Sequence, residues 1–452
     1  MLKRRTFLKQ TALAGAALTL PSGIFAKPRQ KEKVNIGFIG VGLRGTNHLR
    51  NILRRSDVNV PAICDIDPER INIAQKTITD AGYPAPVVYS DNDYSYRNLL
   101  ERRDIDGVII STPWLWHTPM SVDAMRAGKY AGVEVSAATT MAECWDLVNT
   151  YEETAVPIMI LENVCYRRDV MAVLSMVRKD LFGELLHARC GYQHDLREVK
   201  FNDGKQAHGG GVKFGDEAIA EASWRTQHSL KRNADLYPTH GLGPVATMMD
   251  INRGNRFLRI SSFATKTRGL KNYIENHPAG GENHPNAELN WKLGDIVTSS
   301  IETASGETII VTHDTNSPRP YSLGFRVQGV KGLTEFDYHS KRIYIEGRSD
   351  AHSWENMDDY LQKYDHPLWQ KYGEYAEGSG HGGMDFFVIN AFVEMIKRQE
   401  QAPLDAYDAA AWSAVTPLSA ASIAGGGETL DFPDFTRGKW IKRKPLFARG
   451  DY

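Results

Sequence analysis

Cysteine is scarce in this 452-residue chain: Cys64, Cys144, Cys165 and Cys190 stand far apart, with no C-x-x-C pair and no zinc-type spacing. A disulfide framework and a redox pair are excluded, and the four thiols read as free, buried, small hydrophobes. Charge of one sign is lacking too, since 54 basic residues meet 55 acidic ones and leave a net charge of -1. With no basic excess to neutralise phosphates, no nucleic-acid partner is expected. No uninterrupted apolar stretch reaches the roughly 18 residues that a membrane span needs, so no membrane is expected. His277 and His284 sit in polar loops without ligand spacing, which argues against a metal. Internal repeats are missing as well. What remains, 42% hydrophobic and 24% charged, is a globular composition long enough for two domains with separate cores.

The chain opens on Arg4-Arg5-Thr6-Phe7-Leu8-Lys9, an apolar run from Thr11 to Leu20 and small residues ending Phe25-Ala26. This pattern over residues 1–26 reads as a twin-arginine (Tat) signal peptide, with the Tat machinery as partner and a periplasmic or secreted destination. That route carries folded proteins, so the chain folds in a reducing compartment and disulfides are not expected. A nucleotide bound before export would travel inside the fold. Outside the cytoplasm nothing recycles it, so the net reaction should leave it unchanged.

From 33 to 160 strand-like and helix-like stretches alternate, as a doubly wound parallel sheet of the Rossmann type requires. Strands are expected at Val34 to Ile39, Val58 to Cys64, Gly107 to Ser111, Tyr130 to Val135 and Pro157 to Leu161. From 161 to 452 the texture becomes α+β. A helix over Met171 to Arg178 precedes alternating runs at Leu185 to Tyr192, Ile296 to Glu302, Thr308 to Thr312 and Arg342 to Glu346, which read as an open, mainly antiparallel sheet. Asn202 to Gly211 and Asn276 to Pro285 read as long loops. A late amphipathic helix from Met384 to Lys397 carries one apolar stripe, Phe386, Ile389, Val393 and Ile396.

Val34 to Ile39 runs into Gly40-Val41-Gly42-Leu43-Arg44-Gly45, a G-x-G-x-x-G fingerprint, and Asp65 closes the next strand. Gly40 permits the tight turn, Gly42 admits a pyrophosphate and Gly45 lets the helix pack close. Asp65 suits ribose hydroxyls and repels a 2′-phosphate, which points to NAD. Arg44 either lies along the cofactor or is a solvated surface arginine. Trp114, Trp116 and His117 follow the strand ending at Ser111, where such loops line the ligand crevice.

The fingerprint, Asp65, the loop after Ser111 and Glu134 together resemble the Gfo/Idh/MocA oxidoreductases, except that Glu134-Val135-Ser136 replaces the usual Glu-Lys-Pro. A simple alcohol dehydrogenase is thereby put in doubt. The mature chain more closely resembles glycoside hydrolase family 109, the NAD-dependent α-N-acetylgalactosaminidases, through Thr112 to Met120, Leu161 to Asp169, Gly191 to Asp195, Trp224-Arg225-Thr226, Tyr237 to Gly241 and Arg319-Pro320-Tyr321. That resemblance implies that Leu43, Arg44, Asp65, Trp114, Leu115, Trp116, His117, Glu134, Val135 and Asn163 contact NAD. It further implies that Tyr192, Arg225, Tyr237, Pro238, Thr239, His240 and Tyr321 line a sugar pocket.

The activity so implied is hydrolysis of terminal α-linked N-acetylgalactosamine by oxidation at C3, elimination, hydration and reduction, with no net redox change. Such a route needs proton handling near C2 and an acid for the leaving group. His240 is the first candidate, because a helix opening after Pro238 would favour its neutral imidazole. Tyr192 is the alternative acid or base, and needs a depressed pKa or a nearby cation to act as a base. Arg225 offers a fixed fork to sugar hydroxyls or the acetamido carbonyl. Two other readings stay open: an exported sugar oxidoreductase of the glucose-fructose type, and a sugar-binding protein without catalysis. A homo-oligomer is also left open.

Overall fold

The computed structural model describes residues 30–450, so the expected leader lies outside the described residues. Seven strands build the first sheet: β1 (Val34–Ile39), β2 (Val58–Asn59), β3 (Ala62–Cys64), β4 (Val87–Tyr89), β5 (Gly107–Ile110), β6 (Tyr130–Val133) and β7 (Ile158–Ile160). Their order is β4-β3-β1-β5-β6-β7 with β2 beside β1, and every pair is parallel. The run expected as one strand over Val58 to Cys64 is two, since Pro61 has no N–H to continue the ladder. The strand order reverses between β1 and β5. The loops after these two strands flank that switch point, where open parallel sheets bind their ligands.

The second sheet adds β8 (Leu185–Gln193), β9 (Phe257–Ala264), β10 (Ile296–Thr303), β11 (Thr308–Asp314), β12 (Phe325–Gly329), β13 (Gly332–Phe336), β14 (Lys341–Ile345), β15 (Glu355–Asn356) and β16 (Leu430–Asp431). The order is β15-β14-β13-β12-β8-β11-β10-β9-β16. Contrary to the antiparallel expectation for all of these runs, β8 and β11 pair in parallel, from His187 beside Thr308 to Gln193 beside Asp314. The long excursion between them returns the chain in its original direction. Along β10 alternate residues are buried and exposed, as a sheet with one solvated face requires. Beside it, β9 packs on the Val415–Ala424 helix, where Ser262 N–H donates to Ser422 Oγ (2.8 Å).

The Met384–Arg398 helix belongs by sequence to the second half but covers the first sheet. Its Phe392 ring sits 3.0 Å from where a Cβ on Gly132 of β6 would stand, so glycine there permits the approach. The single stripe expected for this helix is too narrow. Phe387, Val388, Ala391, Phe392 and Met395 are buried as well, while Phe386 is only partly buried, because the helix has neighbours on several sides. One continuous apolar core therefore runs through both halves. Among the described residues, no helix is long and apolar enough to cross a membrane.

All four cysteines are free and buried, and burial pushes the Cys64 thiol up to about 12. A thiol reagent applied at pH 8 should therefore label the folded protein slowly at every cysteine and the unfolded chain at four sites. Rapid native labelling, or fewer than four thiols on unfolding, would contradict this burial.

Candidate functional site

A cavity of about 590 Å³ opens at the carboxyl ends of the parallel strands, between the two sheets. Of the expected residues, Gly40, Gly42, Leu43, Arg44, Asp65, Trp114, Trp116, His117, Glu134, Val135, Asn163, Tyr192, Arg225, Tyr237 and His240 line it. Five others do not. Gly45 lies beneath the fingerprint turn, where a Cβ would meet Gly40 O at 2.1 Å. The Leu115 side chain is 54% exposed and faces away, one position out of phase with its tryptophan neighbours. Pro238 and Thr239 are buried in the turn that starts the Thr239–Met248 helix. Tyr321 stands behind Tyr192, ring centroids 5.9 Å apart.

The nucleotide half of the cavity fits a dinucleotide. A Cβ on Gly42 would find no atom within 4 Å, and no side chain caps the Leu43–Ile52 helix that starts there, so its first N–H groups are left for an anion. Asp65 accepts from Val41 N–H (2.7 Å) and from Asp67 N–H (3.0 Å), which props the turn and places the carboxylate on the rim. The helix cap next to it is Asp67, not Asp65. His117 is buried between the carbonyl oxygens of Ser136 (2.8 Å) and Thr112 (2.7 Å), and burial lowers its pKa, so the neutral ring donates to one of them. Trp116 packs edge-on against Tyr94, whereas Trp114 reaches into the second half and meets Trp224, His228 and Tyr237.

Arg44 is neither solvated nor simply free to lie along a cofactor. Its Nε donates to Glu134 (2.7 Å), and its Nη1 and Nη2 donate to both oxygens of Asp385 (2.9 and 3.1 Å). Asp385 has a fully buried side chain in the first turn of the Met384–Arg398 helix, and it also accepts from Asn163 Nδ2 (2.7 Å) and meets His381 Nδ1 (2.6 Å). Glu134 in turn meets His48 Nε2 (2.5 Å). Although burial opposes ionisation, Arg44 and the neighbouring imidazoles hold both carboxyls well below the usual carboxylate range. Of the residues expected on the nucleotide, Arg44 and Asn163 are thus held directly by a carboxylate from the far end of the chain, and Glu134 is tied to it through Arg44.

In the sugar half, His240 is the second residue of its helix, and its Nδ1 lies 2.8 and 3.0 Å from the two oxygens of the fully buried Glu162. An ionised Glu162 can only accept, so Nδ1 carries a proton, and in the neutral imidazole Nε2 is then the acceptor. The Tyr192 ring lies 5.4 Å from that imidazole, and its hydroxyl meets His194 Nδ1 (3.1 Å). Burial pushes the Tyr192 phenol up to about 12 against the pull of Arg225, so Tyr192 keeps its proton, and burial lowers the pKa of His194 beside it. The base role weighed for Tyr192 is disfavoured by this burial. The Arg225 guanidinium lies over both the Trp114 ring (5.0 Å) and the neighbouring Tyr237 ring (4.9 Å) and pairs with Glu221.

Sequence reasoning did not single out Glu162, His194, Glu221, His48 or Asp385. Glu162 was within reach, since it follows β7 as the Thr112 loop follows β5, and the same crevice rule applies. Asp385 is a charge inside an apolar helix pattern, and only the tertiary partner explains it. Glu221 sits on an irregular loop that carries no periodic signal.

The chain matches two family models: an oxidoreductase family with an NAD-binding Rossmann fold over residues 34–161, and the glycosyl hydrolase 109 C-terminal domain over residues 166–442. A glycosyl hydrolase family 109 protein of Parabacteroides distasonis is 51% identical, over 98% of this chain and 99% of that protein. An α-N-acetylgalactosaminidase of Tannerella forsythia is 50% identical over the same shares. Among solved structures, a levoglucosan dehydrogenase complexed with NADH and levoglucosan shares the fold, with a TM-score of 0.64 at 18% identity over 89% of this chain and 99% of that one.

Removing one partner of a buried ion pair costs about 3–5 kcal/mol. Asp385→Asn, which keeps the shape and loses the charge, should therefore leave the protein depleted of bound nucleotide after gel filtration, while the parent protein elutes loaded. Equal nucleotide content per chain, measured by chromatography after denaturation, would contradict a holding role for Asp385.

Proposed function

We infer, for a chain that belongs to glycosyl hydrolase family 109, that the sugar taken by the pocket is a terminal α-linked N-acetylgalactosamine. The protein is an NAD-dependent glycoside hydrolase. The observation that carries the finer reading is the Glu162–His240 pair facing Tyr192 and Arg225 across one cavity. When bound on the glycine turn, NAD would supply an acceptor for the hydride on C3 of the sugar; with loss of the O3 proton this leaves a ketone at C3, which acidifies the hydrogen on C2.

Glu162 fixes the His240 tautomer, so Nε2 is presented to take a proton from the sugar. Tyr192 Oη, still protonated, offers a hydrogen bond or a proton to a developing oxyanion or to the departing oxygen. Arg225, pinned by two rings and Glu221, presents a rigid fork to ring hydroxyls or to the acetamido carbonyl. The walls around them are aromatic, with Trp114 and Tyr237 packed close to Tyr192 and Arg225, and so suit the apolar face of a pyranose. Two carboxylates of the sugar half are already engaged, Glu221 by Arg225 and Glu162 by His240. Glu162, the buried one, is engaged by His240, as an elimination route allows and a two-carboxylate hydrolysis does not.

We further propose export of the folded, nucleotide-loaded chain by the twin-arginine route to the periplasm or beyond. The reading is supported by Arg4-Arg5 and the apolar run after them.

The protein loaded with NAD should release chromophore from a p-nitrophenyl α-N-acetylgalactosaminide, and His240→Ala should lower kcat about 10²–10⁴-fold, the range for loss of general acid–base help. Glu162→Gln should fall between the two. No release by the loaded parent protein would overturn the substrate assignment, and a fully active His240→Ala would remove this histidine from the chemistry.

A further inference from the structure

The Glu221 carboxylate stands on the wall of the cavity, on the loop between the Arg197–Lys200 and Arg225–Lys231 helices, with its side chain 32% exposed. Its Oε2 is bonded to Arg225 Nη1, and among the described residues Arg225 is the one donor that this carboxylate meets. Oε1 therefore keeps its capacity to accept. The negative charge reaches the Tyr192 phenol and the His194 imidazole and opposes deprotonation of both, which places the carboxylate in the sugar half.

The loop that carries Glu221 is irregular but tied down. Asn202 is fully buried; its Nδ2 donates to Ile219 O (2.9 Å) and Ala207 O (3.3 Å), and its Oδ1 accepts from Gly204 N–H (2.9 Å). Ala220 takes a φ of 53°, in the left-handed region that a residue with a side chain holds only where its surroundings fix it. Across the same turn Ser223 Oγ donates to Ala220 O (2.6 Å). Glu221 is thus presented from a fixed backbone, beside a guanidinium that is itself held over the Trp114 and Tyr237 rings.

A carboxylate next to a guanidinium sets an acceptor beside a fork of donors. A sugar hydroxyl is both donor and acceptor, so this pair satisfies both of its roles at one place. A trans amide fits less well, because its N–H and C=O point to opposite sides. A sulfate or carboxylate on the sugar is repelled by Glu221. We propose that Glu221 is a specificity-determining residue that, together with Arg225, holds a hydroxyl of the sugar at C4 or C6, and so selects neutral sugars with that hydroxyl free. The inference rests on the glycosidase reading above, in which the hydroxyls at C4 and C6 are the two that the reaction leaves intact. A site built to bond a hydroxyl rejects the analogue that lacks it, because its own polar group is then covered without a partner.

The test uses the NAD-loaded parent protein, Glu221→Gln and Glu221→Asp with three substrates: p-nitrophenyl α-N-acetylgalactosaminide and its 4-deoxy and 6-deoxy analogues. In the parent, loss of the contacted hydroxyl should lower kcat/KM about 10–100-fold, the range for a hydrogen bond to a charged group. Glu221→Gln should lose a similar factor on the full substrate and then discriminate it from that deoxy analogue by no more than about twofold, since the two deletions remove one interaction. Glu221→Asp, which keeps a charge for Arg225 on a side chain one carbon shorter, should show the same loss of discrimination. A carboxylate that only braced Arg225 would give equal losses on all three substrates. That result, or parent-like kinetics in Glu221→Gln, would overturn the proposal while leaving the glycosidase reading intact. If the loaded parent protein hydrolyses none of the three, the reading falls and the proposal falls with it.

Discussion

The Asp385 carboxylate is the contact on which the arrangement of the cavity depends. It is fully buried, both oxygens are used, and each partner belongs to a different segment: Arg44 on the fingerprint turn, Asn163 after β7 and His381 before its own helix. A charge in that position is tolerable because it is paired and hydrogen-bonded, and removing Arg44, its counter-ion, would leave an uncompensated ion in the interior. The same geometry sets where the two halves of the cavity meet. The helix that carries Asp385 is pressed against the parallel sheet by Phe392 and Ile396, so apolar packing delivers the charge and the charge orders the loops.

Given that frame, each chemical group in the cavity is oriented by a neighbour that does no chemistry itself. Glu162 sets the tautomer of His240, while Trp114, Tyr237 and Glu221 immobilise Arg225, and burial keeps the Tyr192 phenol protonated. Trp114 shows how closely the halves are joined. It opens the Trp114–Arg126 helix of the nucleotide half, yet its ring lies against an arginine of the sugar half. A substrate bound there touches both halves at once, and a retained nucleotide is enclosed by the same closure.

Much of the nucleotide half was legible in the sequence because its signals are local. A glycine turn after an apolar strand, an acid closing the next strand and a tryptophan loop at a strand end are each fixed by a few adjacent residues, and the chain folds them where the pattern says. The second sheet was legible as strands but not as a pairing order, since the parallel contact of β8 with β11 depends on a long excursion that periodicity cannot follow. The site residues that went unseen share one property. Glu162 and Asp385 gain their roles from partners distant in the chain, while His194 and Glu221 serve Tyr192 and Arg225 from nearby positions in short segments without a periodic signal, so no pattern marks them. Leu115 is the converse case, a residue that shares a motif with cavity-lining neighbours and yet points to solvent.

The central claim is that the oriented groups of this cavity remove and restore a proton on sugar carbon during a reaction that ends as simple hydrolysis. Turnover of an α-N-acetylgalactosaminide in heavy water, followed by NMR of the released sugar, tests it most directly. The account predicts deuterium at C2 of the released sugar and ordinary hydrogen retained at C3. Released sugar that keeps its original hydrogen at C2 would contradict it.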